Sequence, residues 1–242
     1  MSADEKMRLV VTCATHRGAR DLNEDGFLTL VGNAAPCGTL GLLAVADGIG
    51  GQGTGAAASD LALRTLADVF SAGCAVAGST LSELPHLLRF AMQKANAAVF
   101  QAQADRENRE APMGTTCVAA AVTADRVHVV SVGDSRAYIL RQGELLALTQ
   151  DEWVKQPDGV TVVTRAVGWQ PLLPTDPTSH EAREGDQVIL CTDGLTDALS
   201  EDEIRRMLVS SESSAACAAL AQAAAAQPEA DNVTIVIARL VR

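Results

Sequence analysis

A chain of 242 residues buries roughly 70–75% of its unfolded surface, which excludes a miniprotein that depends on disulfide staples. Its 30 acidic and 19 basic residues leave a formal net charge of −11, a surface that repels DNA, RNA and anionic lipid. Hydrophobic residues make up 48% of the chain and aromatics only 3%, so the expected core is aliphatic, built from Ala, Val and Leu, and disorder is excluded.

The first residues, MSADEKMRLVV, lack the basic start and long apolar run of a secretory signal, and no apolar stretch approaches the ~20 residues of a membrane span. The expectation is a soluble, cytoplasmic monomer with no nucleic-acid or membrane partner. Short β-rich runs open the chain: RLVVTCAT, then a polar loop at 16–25, GFLTLVG, a break at NAAPCG, and TLGLLAVAD. Ala56 to Phe70 is Ala- and Leu-rich without Pro and predicts a helix. A second helix is expected from Leu81 to Arg109, where Leu84, Leu87, Leu88, Ala91, Ala95 and Val99 form one stripe and Pro85 suits the first turn. TTCVAAAV, RVHVVSV, RAYILR and ELLALT read as an antiparallel meander. Strands follow at VTVVTRAV, TSHEAR and QVILCT, helices at 201–209 and 213–226, and a last strand at NVTIVIARLV. Without regular βαβ alternation, this order predicts α+β layers around two sheets in a single domain spanning 1–242. The six cysteines show no C-x-x-C pair, and buried free thiols are expected rather than disulfides or zinc ligands.

Four acidic residues stand at predicted strand ends: Asp47 before Gly48, Asp134 after VHVVSVG, Asp193 after QVILCT, and Asp231 before the last strand. One Asp in a turn is ordinary, because it bonds nearby backbone donors. Four on rigid strand ends would converge, and ionised carboxylates ~5 Å apart repel by ~3 kcal/mol per pair at an effective dielectric of ~20. Such a cluster needs cations, and oxygen ligands select magnesium, manganese or calcium over zinc. Upstream, RDLNED sets Arg20 four residues before Glu24, and Arg is the side chain best shaped to hold a phosphate.

In chain order, RDLNED, AVADGIGGQGTG, MGTTCVAAAV, SVGDSRAYIL, ALTQDEW, VVTRAVG, ILCTDGLTDALS and ADNVTIVIARL resemble the metal-dependent protein serine/threonine phosphatases of the protein phosphatase 2C type. The resemblance implies a four-layer α-β-β-α sandwich, two antiparallel sheets flanked by helices, with a cleft at one end. It implies two manganese or magnesium ions, with Asp47 bridging, Glu24 and the Gly48 carbonyl on one, and Asp193 with Asp231 on the other. By the same likeness Asp25 orients a metal-activated water, Asp134 joins Asp193 around a third, weaker ion, and Arg20 binds the substrate phosphate. Water would attack a phosphoserine or phosphothreonine of a protein directly, opposing a serine/threonine kinase. Compact bacterial members include ones that reverse kinase control of type VI secretion, acting on a forkhead-associated-domain protein.

Two departures stand out. Many eukaryotic relatives place a histidine, a candidate general acid, where this chain has Ile49, which leaves the proton donor unassigned. The family's flap is shortened here to little more than VKQPDGVT near 151–161, which implies a more open site. Two other readings stay open: a non-catalytic phosphoprotein-binding relative, and a dinucleotide site at Gly48–Gly53, which satisfies G-x-G-x-x-G. The second predicts a parallel strand after the following helix, where Asp68 would have to lie, but Asp68 falls inside that helix.

Overall fold

The two most apolar runs, Gly41–Ala46 and Cys117–Val122, are buried at every position, and alternation lets each serve two cores. Leu42, Ala44, Ala46, Cys117, Ala119 and Ala121 face a helical layer, whereas Leu43, Val45, Val118, Ala120 and Val122 face a second sheet. The structure, a computed structural model, describes residues 6–51, 53–76, 80–106, 113–156 and 161–242.

In chain order the elements are β1 (Arg8–His16), β2 (Gly26–Val31), β3 (Gly41–Ala46), β4 (Gly48–Ile49), α1 (Thr54–Ala75), α2 (Leu84–Ala104), β5 (Gly114–Thr115), β6 (Cys117–Val122), β7 (Arg126–Val132), β8 (Arg136–Arg141), β9 (Glu144–Ala147), β10 (Trp153–Lys155), β11 (Thr161–Val163), β12 (Thr178–Glu181), β13 (Gln187–Cys191), α3 (Asp193–Ala198), α4 (Glu201–Ser210), α5 (Ser213–Ala225) and β14 (Val233–Val241). One sheet runs β1-β14-β13-β8-β9 and the other β12-β7-β6-β3-β2, and every pairing is antiparallel. Helices α1 and α2 cover the second sheet through Leu66, Phe70, Leu88 and Met92, while α3, α4 and α5 cover the first through Leu195, Ile204, Leu208 and Leu220. The α+β sandwich expected from the sequence is the observed architecture. Among the described residues no helix is long and apolar enough to cross a membrane.

Local rules explain the helix starts. Thr80 and Glu83 form a reciprocal capping box that opens a 3₁₀ turn at Leu81–Glu83, and Pro85 sits in the first turn of α2. The helix expected from Leu81 begins three residues later and ends at Ala104; residues 107–112 lie outside those described. Ser200 and Glu203 cap α4 in the same way.

Four expectations are corrected. The run 115–149 is not one meander: β6 and β7 pair in one sheet and β8 and β9 in the other, so the chain changes sheets at Gly133–Ser135. Gly133 has φ +92°, and a Cβ there would lie 2.8 Å from the Thr116 side chain, so this tight crossover requires glycine. The strand expected at VTVVTRAV is broken: Thr161–Val163 pairs with β10, and Val167 instead makes a separate antiparallel bridge to Thr115, while Val160 lies outside the described residues. The sequence reading contains no counterpart of α3, which follows β13 directly and has Asp193 as its first residue. Finally, Cys37 and Cys74 are joined in a disulfide that ties the β2–β3 loop to the last turn of α1, with Cα atoms 4.9 Å apart. Both lie at partly exposed element ends 37 residues apart in sequence, which spacing alone could not bring together. Cys117, Cys191 and Cys217 are buried thiols as expected, and Cys13 is exposed. The segment near 151–161, expected to be a shortened flap, contains the paired strands β10 and β11, and its residues 157–160 lie outside those described.

Candidate metal centre

Five connections meet at one end of the sandwich: the loop after β1, the β3–β4 junction, the crossover between sheets, the β13–α3 turn and the approach to β14. Asn232 ties the first to the last. Its Nδ2 donates to the carbonyls of Arg17 at 2.8 Å and Leu22 at 2.9 Å, and its Oδ1 accepts from Glu24 N at 2.8 Å. Gly194 lies so close to this strand entry that a Cβ would stand 2.0 Å from Asn232 O, which presses the Asp193 turn against Asp231. Asp47 N donates to Thr116 Oγ1 at 3.0 Å, and the same hydroxyl lies 2.6 Å from Ser135 Oγ, which links the Asp47 junction to the crossover that carries Asp134.

Within this frame Arg20, Leu22, Glu24, Asp47, Gly48, Ile49 and Asp231 line a cleft of about 470 Å³. Arg20 Nη2 donates to Asp231 Oδ2 at 2.6 Å, with both side chains partly exposed. Glu24 Oε1 accepts from Gly55 N at 3.1 Å, at the start of α1. Asp25 lies deeper, its Oδ2 receiving Thr192 Oγ1 at 2.9 Å. Asp47 and Asp193 share a hydrogen bond between their carboxyls. Asp193 also borders a second, smaller cleft that holds Asp134. The structure thus brings Glu24, Asp25, Asp47, Asp193 and Asp231 into one neighbourhood and sets Asp134 next door.

The electrostatics are those of carboxylates gathered without enough positive charge. Burial pushes Asp25 up to about 7, with Asp193 and Asp231 adding to the rise and bonds from Thr234 and Thr192 opposing it. Asp47 is raised well above the ordinary range by burial and then by Asp193 and Asp25. Asp193 is raised by burial and by Asp197 and Asp231, against its bond with Asp47. Asp134 is pushed up to about 7, chiefly by burial and then by Asp193. Asp25 Oδ1, Asp134 Oδ1 and Asp193 Oδ1 are buried without a hydrogen-bond partner. Buried acceptors normally have partners, so three orphaned carboxylate oxygens in one region fit hard divalent cations. Among the described residues no group of three or more His, Cys, Asp or Glu forms a ready-made ion cage. The carboxylates are neighbours in mutual repulsion, not a closed shell. Asn232, Thr116 and Thr192, which hold the ring together, were not singled out from sequence; the only hint was that Asn232 adjoins Asp231.

The G-x-G-x-x-G segment lies in an antiparallel setting. Gly48–Ile49 pairs with Gly114–Thr115, and β3 is flanked by antiparallel β2 and β6, so the described residues form no parallel βαβ unit of a dinucleotide fold.

A family model described as protein phosphatase 2C matches residues 13–233. The chain is 35% identical over 217 residues to the serine/threonine protein phosphatase PstP of Mycobacterium tuberculosis, an alignment covering 83% of this chain and 40% of that protein. It therefore spans well under half the length of that curated relative. Among solved structures it is similar to the catalytic domain of PstP in complex with two manganese ions, with TM-score 0.82, 31% identity, and coverage of 98% of this chain and 100% of that one. It is also similar to PppA, described as a key regulatory component of the T6SS in Pseudomonas aeruginosa, with TM-score 0.81, 29% identity, and coverage of 97% and 100%.

Proposed function

The chain belongs to the protein phosphatase 2C family, and on that premise we propose that it hydrolyses phosphoserine and phosphothreonine in proteins in a metal-dependent reaction. The observation that carries this reading is the set of buried, mutually raised carboxyls, Asp25, Asp47 and Asp193 beside Asp231, with orphaned oxygens among them. Glu24, Asp47, the Gly48 carbonyl, Asp193 and Asp231 would hold two manganese or magnesium ions, and Asp134 with Asp193 a third. When bound, such a pair lowers the pKa of water and neutralises charge on phosphoryl oxygens.

The rest falls to the chain's own groups. Arg20 gives one donor to Asp231, and its 60% exposed guanidinium has four more N–H groups to turn toward a phosphate in the cleft. Asp25 is fixed through Oδ2 by Thr192, so its Oδ1 is positioned to accept a hydrogen from water and orient it. Ile49 presents no proton to the leaving alkoxide, which takes one from solvent. The likeness to PppA, a key regulatory component of the T6SS in Pseudomonas aeruginosa, supports a place for this chain in type VI secretion, and the proposed reading there is opposition to a serine/threonine kinase on a phosphorylated forkhead-associated-domain protein.

Phosphate release from p-nitrophenyl phosphate and from a phosphothreonine peptide, with and without Mn²⁺, tests the activity, with Asp193→Asn as control. Metal-dependent turnover of both substrates, lost in the variant, is expected. Binding of the phosphopeptide without turnover in any divalent metal would replace this reading with that of a non-catalytic phosphoprotein-binding relative.

A further inference from the structure

The cleft that holds Arg20, Glu24, Asp47 and Asp231 is not lined by charge alone. Of the described residues lining it, Leu22 and Ile49 alone carry an apolar side chain, and Gly50 and Gly51 extend the lining without one. A Cβ on Gly51 would meet nothing within 4 Å, so the space beside this wall is open. Leu22 is 50% exposed. A lone exposed leucine is ordinary on a protein surface, and this one is informative because of how its backbone is held.

Just before Leu22, the carbonyl of Asp21 accepts from Arg17 Nη1 at 3.2 Å; the carbonyl of Leu22 itself accepts from Asn232 Nδ2 at 2.9 Å; and just after it, Asn23 Nδ2 donates to Thr15 Oγ1 at 2.8 Å. The loop is thus fixed on both sides of a side chain that opens to the cleft. A Cβ on Gly53 would stand 4.0 Å from Leu22 Cδ1, which sets Leu22 beside the turn into α1, and Ile49 is fixed in β4 by its pairing with Gly114. Arg20, two residues upstream, has the donors assigned to the phosphate, and two residues of extended chain span at most about 7 Å. In a bound substrate the same span leads from the phosphorylated residue to the second one along. Resting on the phosphatase reading above, we propose that Leu22 and Ile49 form an apolar subsite for an aliphatic side chain of the phosphoprotein, within two residues of the phosphorylated one. Contact there removes apolar surface of both partners from water. An acidic side chain in the same place would be desolvated without a partner and is rejected.

The test uses phosphothreonine peptides that carry Leu, Ala or Asp at each of the two positions on either side. At one position kcat/KM for Leu should exceed that for Ala by about 4- to 10-fold, the effect of withdrawing one or two CH₂ groups from water, and Asp should fall below Ala. Leu22→Ser should bring the Leu-to-Ala ratio within about 2-fold of unity, with the loss appearing in KM, whereas Leu22→Met should keep most of the ratio. Ile49→Ala truncates the wall from its other side and should lower the same ratio. A readout without turnover uses the phosphonate analogue of each peptide, which cannot be hydrolysed, carrying a fluorescein label and titrated by anisotropy in Mn²⁺: the preference for Leu should reappear in Kd. Equal kcat/KM for Leu and Ala at every position, a Leu preference that survives both Leu22→Ser and Ile49→Ala, or equal Kd values overturns the proposal. Absence of turnover of both the peptides and p-nitrophenyl phosphate by wild type overturns the phosphatase reading instead, and the Kd ratio still decides on the wall.

Discussion

Asp25, Asp47, Asp134 and Asp193 are each held above the ordinary carboxylate range by burial and by neighbouring carboxyls, and this has a thermodynamic consequence for the metal-free protein. An unfolded carboxyl titrates near 4, whereas burial pushes Asp25 and Asp134 up to about 7. The folded state therefore binds more protons than the unfolded state between those values, so the contribution of these carboxyls to stability is fully present below about pH 4 and is lost as pH rises through about 7. Thermal denaturation in EDTA should show a lower Tm at pH 8 than at pH 5, with saturating Mn²⁺ restoring stability above pH 7. Asp25→Asn should flatten the EDTA profile. A metal-free Tm that rises with pH over this window would mean the carboxyls do not carry the strain assigned to them. At this scale the sequence was legible where chemistry is written in residue type: the acidic strand ends stood out against apolar runs. Asn232, Thr116 and Thr192 did not, because their importance comes from which distant backbone groups they reach, Arg17, Leu22 and Glu24 in the case of Asn232.

Among the elements, strands were readable because period-2 alternation reports which face meets which core, and the chain realises it in β3, β6, β13 and β14. Sheet membership was not readable. Two apolar strands joined by Gly-Asp-Ser read as a hairpin, and only the left-handed Gly133 packed against Thr116 shows that the chain crosses between sheets there. The Cys37–Cys74 bond was equally hidden. It closes a loop of 37 residues, a constraint on the unfolded chain of roughly 3–4 kcal/mol in the chain-entropy account. Reductant, or Cys74→Ser, should lower Tm by several degrees and leave p-nitrophenyl phosphate turnover at 25 °C unchanged, since the bond lies at the far end of α1 from Gly55 and Glu24. An identical Tm in both redox states would contradict the staple.

At the level of the whole molecule, the formal charge of −11 acts on every encounter with a substrate that carries phosphate. The carboxylate ring and the acidic smaller cleft lie at the same end of the sandwich, so a substrate approaching the site meets carboxyls of both. Charges repel over a Debye length of ~30 Å at 0.01 M salt but only ~8 Å at 0.15 M. Association with an acidic phosphopeptide should therefore be slowed by the protein's own field at low salt and released as salt rises, whereas a peptide bearing several arginines is drawn in and loses that advantage. With Mn²⁺ saturating throughout, kcat/KM for the acidic peptide should rise several-fold from 0.01 to 0.15 M salt while that for the basic peptide falls. Parallel responses of the two peptides would show that net charge does not govern access, and that any selectivity is set by contacts made after arrival.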